Sequence, residues 1–407
     1  MKFGILTQYY PPEIGAPQRR LSRLAQRMAK QGHEIHVLTA MPNYPAGKVF
    51  PGYGGLWRRE QSDGVDVLRA AIYPSKSVSL VPRLANYFSF VASSAAVGAA
   101  MLPRLDYLMT ESPPLFLGIS GWLLHKACRA RWIFNVSDLW PESAVRLGVV
   151  GDGPALRMAY GLEARCYRSA WMVTAQSREI ASSVETRFPG VPTYHLPNGV
   201  DSSVFTPENR DQKTREWLGA RSSEDCVAVY AGLHGIAQGL DQVLRAADRL
   251  RGVAGLSIVF IGDGPEKRRL REMAAAMQLG NVRFEEAVEG GRMPAIMASA
   301  DISIIPLKGA LPGAVPSKVY EAMASGAAVM MVADGEPAAI VRGSGAGLVS
   351  GFDDPEALAG GLRQLASDHS LRRTLGDGGR KAAAETYDYR ISADRFIRHL
   401  QENTRPA

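Results

Sequence analysis

Pro316-Ser317-Lys318-Val319-Tyr320-Glu321-Ala322-Met323-Ala324-Ser325-Gly326, running into Ala327-Ala328-Val329-Met330-Met331-Val332, decides how this chain folds. It reads as a loop entering a helix, a glycine that stops the helix, and a buried strand that follows at once. A hydroxyl, a cation and a carboxylate (Ser317, Lys318, Glu321) surround the helix start. Helix N-termini leave backbone N–H groups without partners and carry a partial positive charge, so with Lys318 beside it this segment suits a phosphate. Glu321, about one turn further on, is placed to accept hydrogen bonds from sugar or ribose hydroxyls. The plainer reading is a helix that begins with Pro-Ser and carries a solvated Lys and Glu.

Outward from this unit the same alternation recurs. Strand-like runs at 226–231, 256–261, 281–284, 302–305 and 327–332 alternate with helical patterns in the C-terminal half. Runs at 3–7, 35–39, 65–69, 106–110, 131–136, 171–175 and 193–196 do so in the N-terminal half. Repeated strand and helix is the signature of α/β folds with parallel sheets covered on both faces. In the first unit, Leu21, Leu24, Ala25 and Met28 share one face of a helix that stops at Gly32, so His33 falls at a structural position. Pro197-Asn198-Gly199 can reverse the chain, which places a domain boundary between Leu196 and Asp201.

A chain of 407 residues, 46% hydrophobic and 21% charged, exceeds one ordinary core and implies two domains of roughly 200 residues. The net charge of +7 suits an anionic ligand or an anionic membrane surface. With no dense basic block and no nucleic-acid module, nucleic acid is not an expected partner. Cys128, Cys166 and Cys226 have neither paired nor metal-ligand spacing and fit a reducing cytoplasm, as small core residues. The chain opens directly into a strand-like run, Phe3-Gly4-Ile5-Leu6, leaving no room for a signal-peptide core. Residues 84–103, uncharged between Arg83 and Arg104, are read first as a buried helix, next as an interfacial helix, and last as a span.

Several stretches together carry a resemblance: YYPPEIGAPQRR, QGHEIHVLTAMPNYPAGK, NVSDLWPES, PNGVD, YAGLHGIAQGLD, IGDGPEKRRL and the segment quoted first. The chain resembles family-4 retaining glycosyltransferases of the GT-B fold, and among them a WbuB-like subgroup that builds bacterial surface polysaccharides such as O-antigen. The resemblance implies two Rossmann-like domains facing across a cleft. The acceptor-binding domain would be 1–196 plus about 386–407, and the donor-binding domain 197–385. It implies a nucleoside diphosphate sugar, UDP-linked, as donor and a lipid-linked saccharide as acceptor, with no other cofactor. The transferred sugar would be deoxy or acetamido, and the protein would be cytoplasmic or peripheral on the inner membrane face.

In open α/β sheets ligands bind at the C-terminal ends of strands, where the loops at 8–17, 111–114, 137–143, 232–238, 262–266 and 312–318 fall. Gly15, Gly232, Gly262 and Gly264 are donor-side candidates where a missing side chain lets backbone approach a diphosphate or nucleotide, with Ser317, Lys318 and Glu321 beside them. Asp138 is either the carboxylate that orients and deprotonates an acceptor hydroxyl or a helix N-cap. Glu142 caps a helix, pairs with Arg146 or faces the acceptor. Glu111 is a second acceptor-side catalytic candidate or part of rigid proline-rich architecture. The resemblance adds Asn43 and Tyr44 on the acceptor side.

Two departures from the broader family stand out. Its members carry an Arg and a Lys on the donor diphosphate where Leu233-His234 and Gln238 stand here, and paired glutamates where this chain has Gly313 and Glu321. Lys318 would supply the missing charge; His234 either assists when protonated or, the commoner case, is a neutral loop histidine. The absence of any Asp-x-Asp triplet points away from a metal-held diphosphate, so no metal ligand is assigned. Rival readings are an epimerase of similar architecture, a sugar phosphorylase and a catalytically silent nucleotide-sugar-binding subunit.

Overall fold

Apolar runs long enough to be buried on both faces condense into two sheets, one in each half of the chain. The computed structural model describes residues 1–77, 79–146, 151–310 and 312–403. Contacts divide it into two units, Met1–Asn198 with Leu311–Ala314 and Tyr389–Ala407, and Gly199–Ala310 with Val315–Asp388. The first unit thus runs two residues past the expected Leu196, takes in a short piece near 312, and regains the chain at Tyr389 rather than about 386.

The first unit holds β1 (Lys2–Leu6), β2 (Glu34–Ala40), β3 (Trp57–Ser62), β4 (Val65–Ala70), β5 (Tyr107–Ser112), β6 (Arg131–Val136), β7 (Met172–Ala175) and β8 (Thr193–His195). Their order is β3-β4-β2-β1-β5-β6-β7-β8, all parallel except β3 against β4. Ile5 of β1 lies opposite Val37 of β2 and Met109 of β5. Leu21, Leu24, Ala25 and Met28 of helix Ala16–Lys30 cover one face with Phe396, Ile397 and Leu400 of helix Tyr389–Glu402. On the other face Leu38, Leu68 and Leu108 pack with Phe90, Leu117 and Leu124.

The sequence pattern misses β3, whose Trp-Arg-Arg-Glu-Gln-Ser is too polar to read as a strand. Its signal is the turn that follows, where Asp63 (φ 52°) and Gly64 (φ 78°) adopt the left-handed conformations of a tight hairpin. Residues 84–103 are not a buried core helix. Helix Leu80–Met101 packs one stripe, with Phe90 and Ser94 fully buried, while 28% of its apolar stretch is covered and Val81 and Phe88 are 75% and 43% exposed. It is long and apolar enough to cross a membrane by length and composition.

The second unit contains β9 (Cys226–Ala231), β10 (Leu256–Ile261), β11 (Val282–Glu285), β12 (Ile302–Pro306), β13 (Ala328–Val332) and β14 (Gly347–Ser350). They form an all-parallel sheet, β11-β10-β9-β12-β13-β14. β14, a four-residue edge strand, is the other element the pattern missed. The opening segment folds as read: helix Lys318–Ala324, then Gly326 at φ 74°, then β13, buried throughout. Cys128, Cys166 and Cys226 are free and buried.

Candidate active site

In the second unit, strand β9 and the start of helix Lys318–Ala324 meet through one side chain. Lys318 Nζ donates to the Tyr230 hydroxyl at 3.2 Å and sits 4.5 Å from the centre of that ring. The Tyr230 hydroxyl donates in turn to the Leu233 carbonyl at 2.5 Å. Burial pulls the Lys318 ammonium down to about 8, against the favourable charge of Glu321. It is therefore a cation that keeps its proton at neutral pH while largely withdrawn from water. The helix contributes less than expected. Val319, Tyr320 and Glu321 donate their N–H groups to the carbonyls of Pro316, Ser317 and Ser317, so few are left for an anion. Ser317 is the N-cap but makes no side-chain cap, and Glu321 is buried.

The space beside the glycines around this cation is occupied by the protein itself. A Cβ on Gly232, at φ 144°, would lie 2.0 Å from Lys318 Nζ. That glycine is required so that the ammonium can reach the strand end. Likewise a Cβ on Gly262 would meet the Gly232 carbonyl oxygen at 2.0 Å, and one on Gly264 the His234 carbonyl oxygen at 2.5 Å. The two loops after β9 and β10 are thus locked together, with the His234 N–H donating to the Asp263 carbonyl at 2.8 Å.

His234 does not assist as a cation. It is fully buried, neither ring nitrogen has a hydrogen-bond partner among the described residues, and Phe260 and Phe284 stand around it. Burial, with Lys267 and Lys318 nearby, holds its imidazole down to about 4, so it is neutral at pH 7. Gln238 ends a short turn, Ile236–Gln238, with its Oε1 buried and unpaired among the described residues.

In the first unit, the structure places Glu111 inside β5 rather than in the loop beyond it. Arg20 Nη2 donates to both Glu111 carboxylate oxygens at 3.1 and 3.2 Å, and Asn135 and Ser137 donate to them as well. Arg20 also donates to Asn198 Oδ1 at 3.2 Å, and Asn198 Nδ2 donates to Gln176. Burial pushes the Glu111 carboxyl up, against the Arg20 guanidinium. An acid that accepts four hydrogen bonds from three side chains and is 2% exposed is a brace for the strand ends, not a base open to an acceptor.

Asp138 is part-buried, accepts from the Ser143 hydroxyl, and is pushed above the usual carboxylate range by burial. Glu142 opens helix Glu142–Arg146 and pairs with Arg146 at 2.9 Å. Asn43 is 3% exposed, its side chain donating to the Met41 carbonyl, so it shapes the loop from within. Tyr44 is 49% exposed and contacts the Tyr9 ring. Gly15 is the extended N-cap of helix Ala16–Lys30, and the space beside it holds Gln18.

Sequence reasoning passed over three residues. Glu13 accepts from the Asn43 and Tyr44 N–H groups at 2.8 and 2.7 Å. Its signal was a lone carboxylate in Pro-Pro-Glu-Ile-Gly. Tyr230 was legible as a polar tip near the end of an apolar strand, whereas nothing separates Arg20 from Arg19, Arg23 and Arg27 of the same helix. Among the described residues no group of three or more His, Cys, Asp or Glu is gathered to hold a metal ion.

Residues 15–199 match the family described as "Glycosyl transferase 4-like domain", and residues 212–382 match "Glycosyl transferases group 1". The chain is a GT-B glycosyltransferase. This glycosyltransferase is 27% identical to the putative colanic acid biosynthesis glycosyl transferase WcaI of Escherichia coli K12, over 82% of this chain and 84% of the relative. It is 26% identical to the probable glycosyltransferase WbjE of Pseudomonas aeruginosa over 72% and 74%. Among solved structures it resembles HepE of Anabaena in complex with UDP and glucose (TM-score 0.73, 17% identity, 99% and 100% covered). Sucrose-phosphate synthase of Thermosynechococcus elongatus has a TM-score of 0.76 at 17% identity, with 99% and 98% covered.

Proposed function

We propose that the protein is a retaining, metal-independent glycosyltransferase of the WbuB-like kind. It moves a deoxy or acetamido sugar from a UDP-linked donor to a lipid-linked glycan in surface polysaccharide assembly. The observation that carries this reading is Lys318, a partly desolvated cation held beside the end of β9 in the group 1 domain. HepE, whose fold this chain resembles, has been solved with UDP and with UDP-glucose. WcaI, named for colanic acid biosynthesis, supports the substrate class.

In the reaction the bond from the sugar anomeric carbon to the β-phosphate oxygen breaks and one to the acceptor oxygen forms. The acceptor proton passes to the departing phosphate on the same face. Lys318 neutralises the charge that develops on that phosphate, a contribution that needs no reorganisation during reaction because the cation is already in place. Asp138 orients the acceptor hydroxyl. The lipid portion of the acceptor suits the exposed Val81 and Phe88 with the basic Lys76 and Arg83 nearby in sequence, which would bring the first unit onto anionic lipid as a cytoplasmic peripheral protein.

The test is Lys318→Ala assayed with UDP-sugars and lipid-linked acceptors, with a chelator present. A loss of about 2–4 kcal/mol in transition-state stabilisation is expected. Activity within a few-fold of the parent removes Lys318 from the mechanism, and activity that needs added Mg²⁺ or Mn²⁺ removes metal independence. One observation favours a second reading, a silent donor-binding subunit: Gly313 stands where the family has a glutamate. Such a subunit binds UDP-sugar and never turns it over.

A further inference from the structure

The side chain that holds Lys318 has no role in the reading above. Tyr230 is the last residue but one of β9 and 1% exposed, its ring packed against His234 and Phe260. Three features converge on the ammonium. The Tyr230 hydroxyl accepts from Nζ at 3.2 Å, the ring face lies 4.5 Å away, and Gly232 leaves the space that Nζ occupies. An ammonium within about 6 Å of an aromatic centroid is attracted by the ring's negative face. The same hydroxyl donates to the Leu233 carbonyl, so the loop after β9 is tied to the cation through a single oxygen.

We propose that Tyr230 is a positioning residue, which holds the Lys318 ammonium at the end of β9 and fixes where that cation meets a diphosphate. The proposal rests on the assignment of Lys318 to the donor diphosphate. Lysine is a point charge on a flexible stem, and a bound phosphate would otherwise have to immobilise it. Here the stem is already fixed. One of the three ammonium protons goes to Tyr230, leaving two for phosphate oxygens. Phenylalanine would keep the ring and lose both hydrogen bonds, so the hydroxyl is what distinguishes this latch from core packing.

The charged and titratable groups facing Lys318 are few. Glu321 on its own helix favours the cation, His234 in the loop after β9 is neutral, and the Tyr230 hydroxyl is pushed up by burial and stays protonated. Loss of the hydroxyl acceptor therefore makes the ammonium give up its proton more easily.

The experiment compares the parent, Tyr230→Phe, Lys318→Ala and the double variant. UDP binding is measured by calorimetry between pH 6 and 10. The titration of Lys318 is followed separately by competitive acylation and mass spectrometry, which needs no ligand. Tyr230→Phe is expected to weaken UDP about tenfold, to move the alkaline loss of binding to lower pH, and to move the Lys318 titration the same way. In the Lys318→Ala background it should add nothing. An unchanged Lys318 titration in Tyr230→Phe, or an equal loss of affinity with and without Lys318, overturns the proposal. If the titration shifts while the parent ignores UDP, the latch stands and the diphosphate assignment fails.

Discussion

Replacing Arg20 by Met and Glu111 by Gln separates a structural brace from a catalytic acid. Both side chains are all but inaccessible, 4% and 3% exposed, and the guanidinium spans both carboxylate oxygens at 3.1 and 3.2 Å. An exposed pair of this geometry would contribute less than about 1 kcal/mol. Breaking a buried pair leaves a charge without a counter-charge, and the usual cost is about 3–5 kcal/mol. Arg20→Met strands the Glu111 carboxylate with only the Asn135 and Ser137 donors, while Glu111→Gln strands the Arg20 cation with Asn198 and Ser137. Each single change should fall in that range. For a unit of this size it corresponds to a drop of roughly 6–20 °C in Tm, taking about 2–4 °C per kcal/mol. The double variant Arg20→Met/Glu111→Leu removes both charges and should lose far less than the sum, since apolar replacement of a buried pair is often close to neutral. Thermal melts of the full chain, read together with kcat, provide the assay. A Glu111→Gln protein that melts like the parent and yet loses kcat a hundredfold would refute the brace and restore Glu111 to the acceptor side.

His234→Phe should flatten the acid side of the stability profile. The unfolded chain takes up a proton near pH 6.5 that the folded chain refuses down to about 4, so stability present above 6.5 is lost as pH falls toward 4, by about 3 kcal/mol in all; equal acid slopes in parent and variant would contradict this. Gly313→Glu, which writes back the family's carboxylate, should lower Tm without raising transfer, because its Cβ would lie 2.3 Å from Ile180 and its φ of 75° costs a side chain about 1–3 kcal/mol. A gain in turnover would show that the position tolerates the acid. Phe88→Asp should lower Tm modestly through its lost packing on Phe116, leave the chain folded, and reduce salt-sensitive binding to anionic liposomes; a parent protein that ignores such liposomes at low salt removes the lipid surface from the proposal.

Periodicity made most strands legible because a parallel strand covered on both faces is apolar along its whole length, as Phe3–Leu6 and Ala328–Val332 are. The same logic fails where a strand has one open side, which is why β3 and β14 were passed over. At the site, residue type and place along the chain picked out Lys318, but the neighbours that set its behaviour are fixed by tertiary packing. At Gly232 sequence shows only a missing side chain and not that the Lys318 ammonium occupies the gap. His234 could be read as an assisting cation or as a neutral histidine, and what decides for the neutral form, three aromatic rings closing around it, is set by tertiary packing. Glu111 reads as the head of a loop because prolines follow it, whereas its strand runs on to Ser112.

The strand that periodicity hides has a further consequence for how this protein behaves at high concentration. A sheet of buried parallel strands invites growth, since its last strand offers a row of unsatisfied N–H and C=O groups to any passing chain. Beside β4 that invitation is withdrawn by Trp-Arg-Arg-Glu-Gln-Ser. Arg59 is already committed to Asp66 at 2.8 Å and Glu60 to Arg69 at 2.7 Å, so an intruding strand would have to strip water from charges that gain nothing from it. The polarity that conceals β3 from a search for strands is what lets it close the sheet against aggregation.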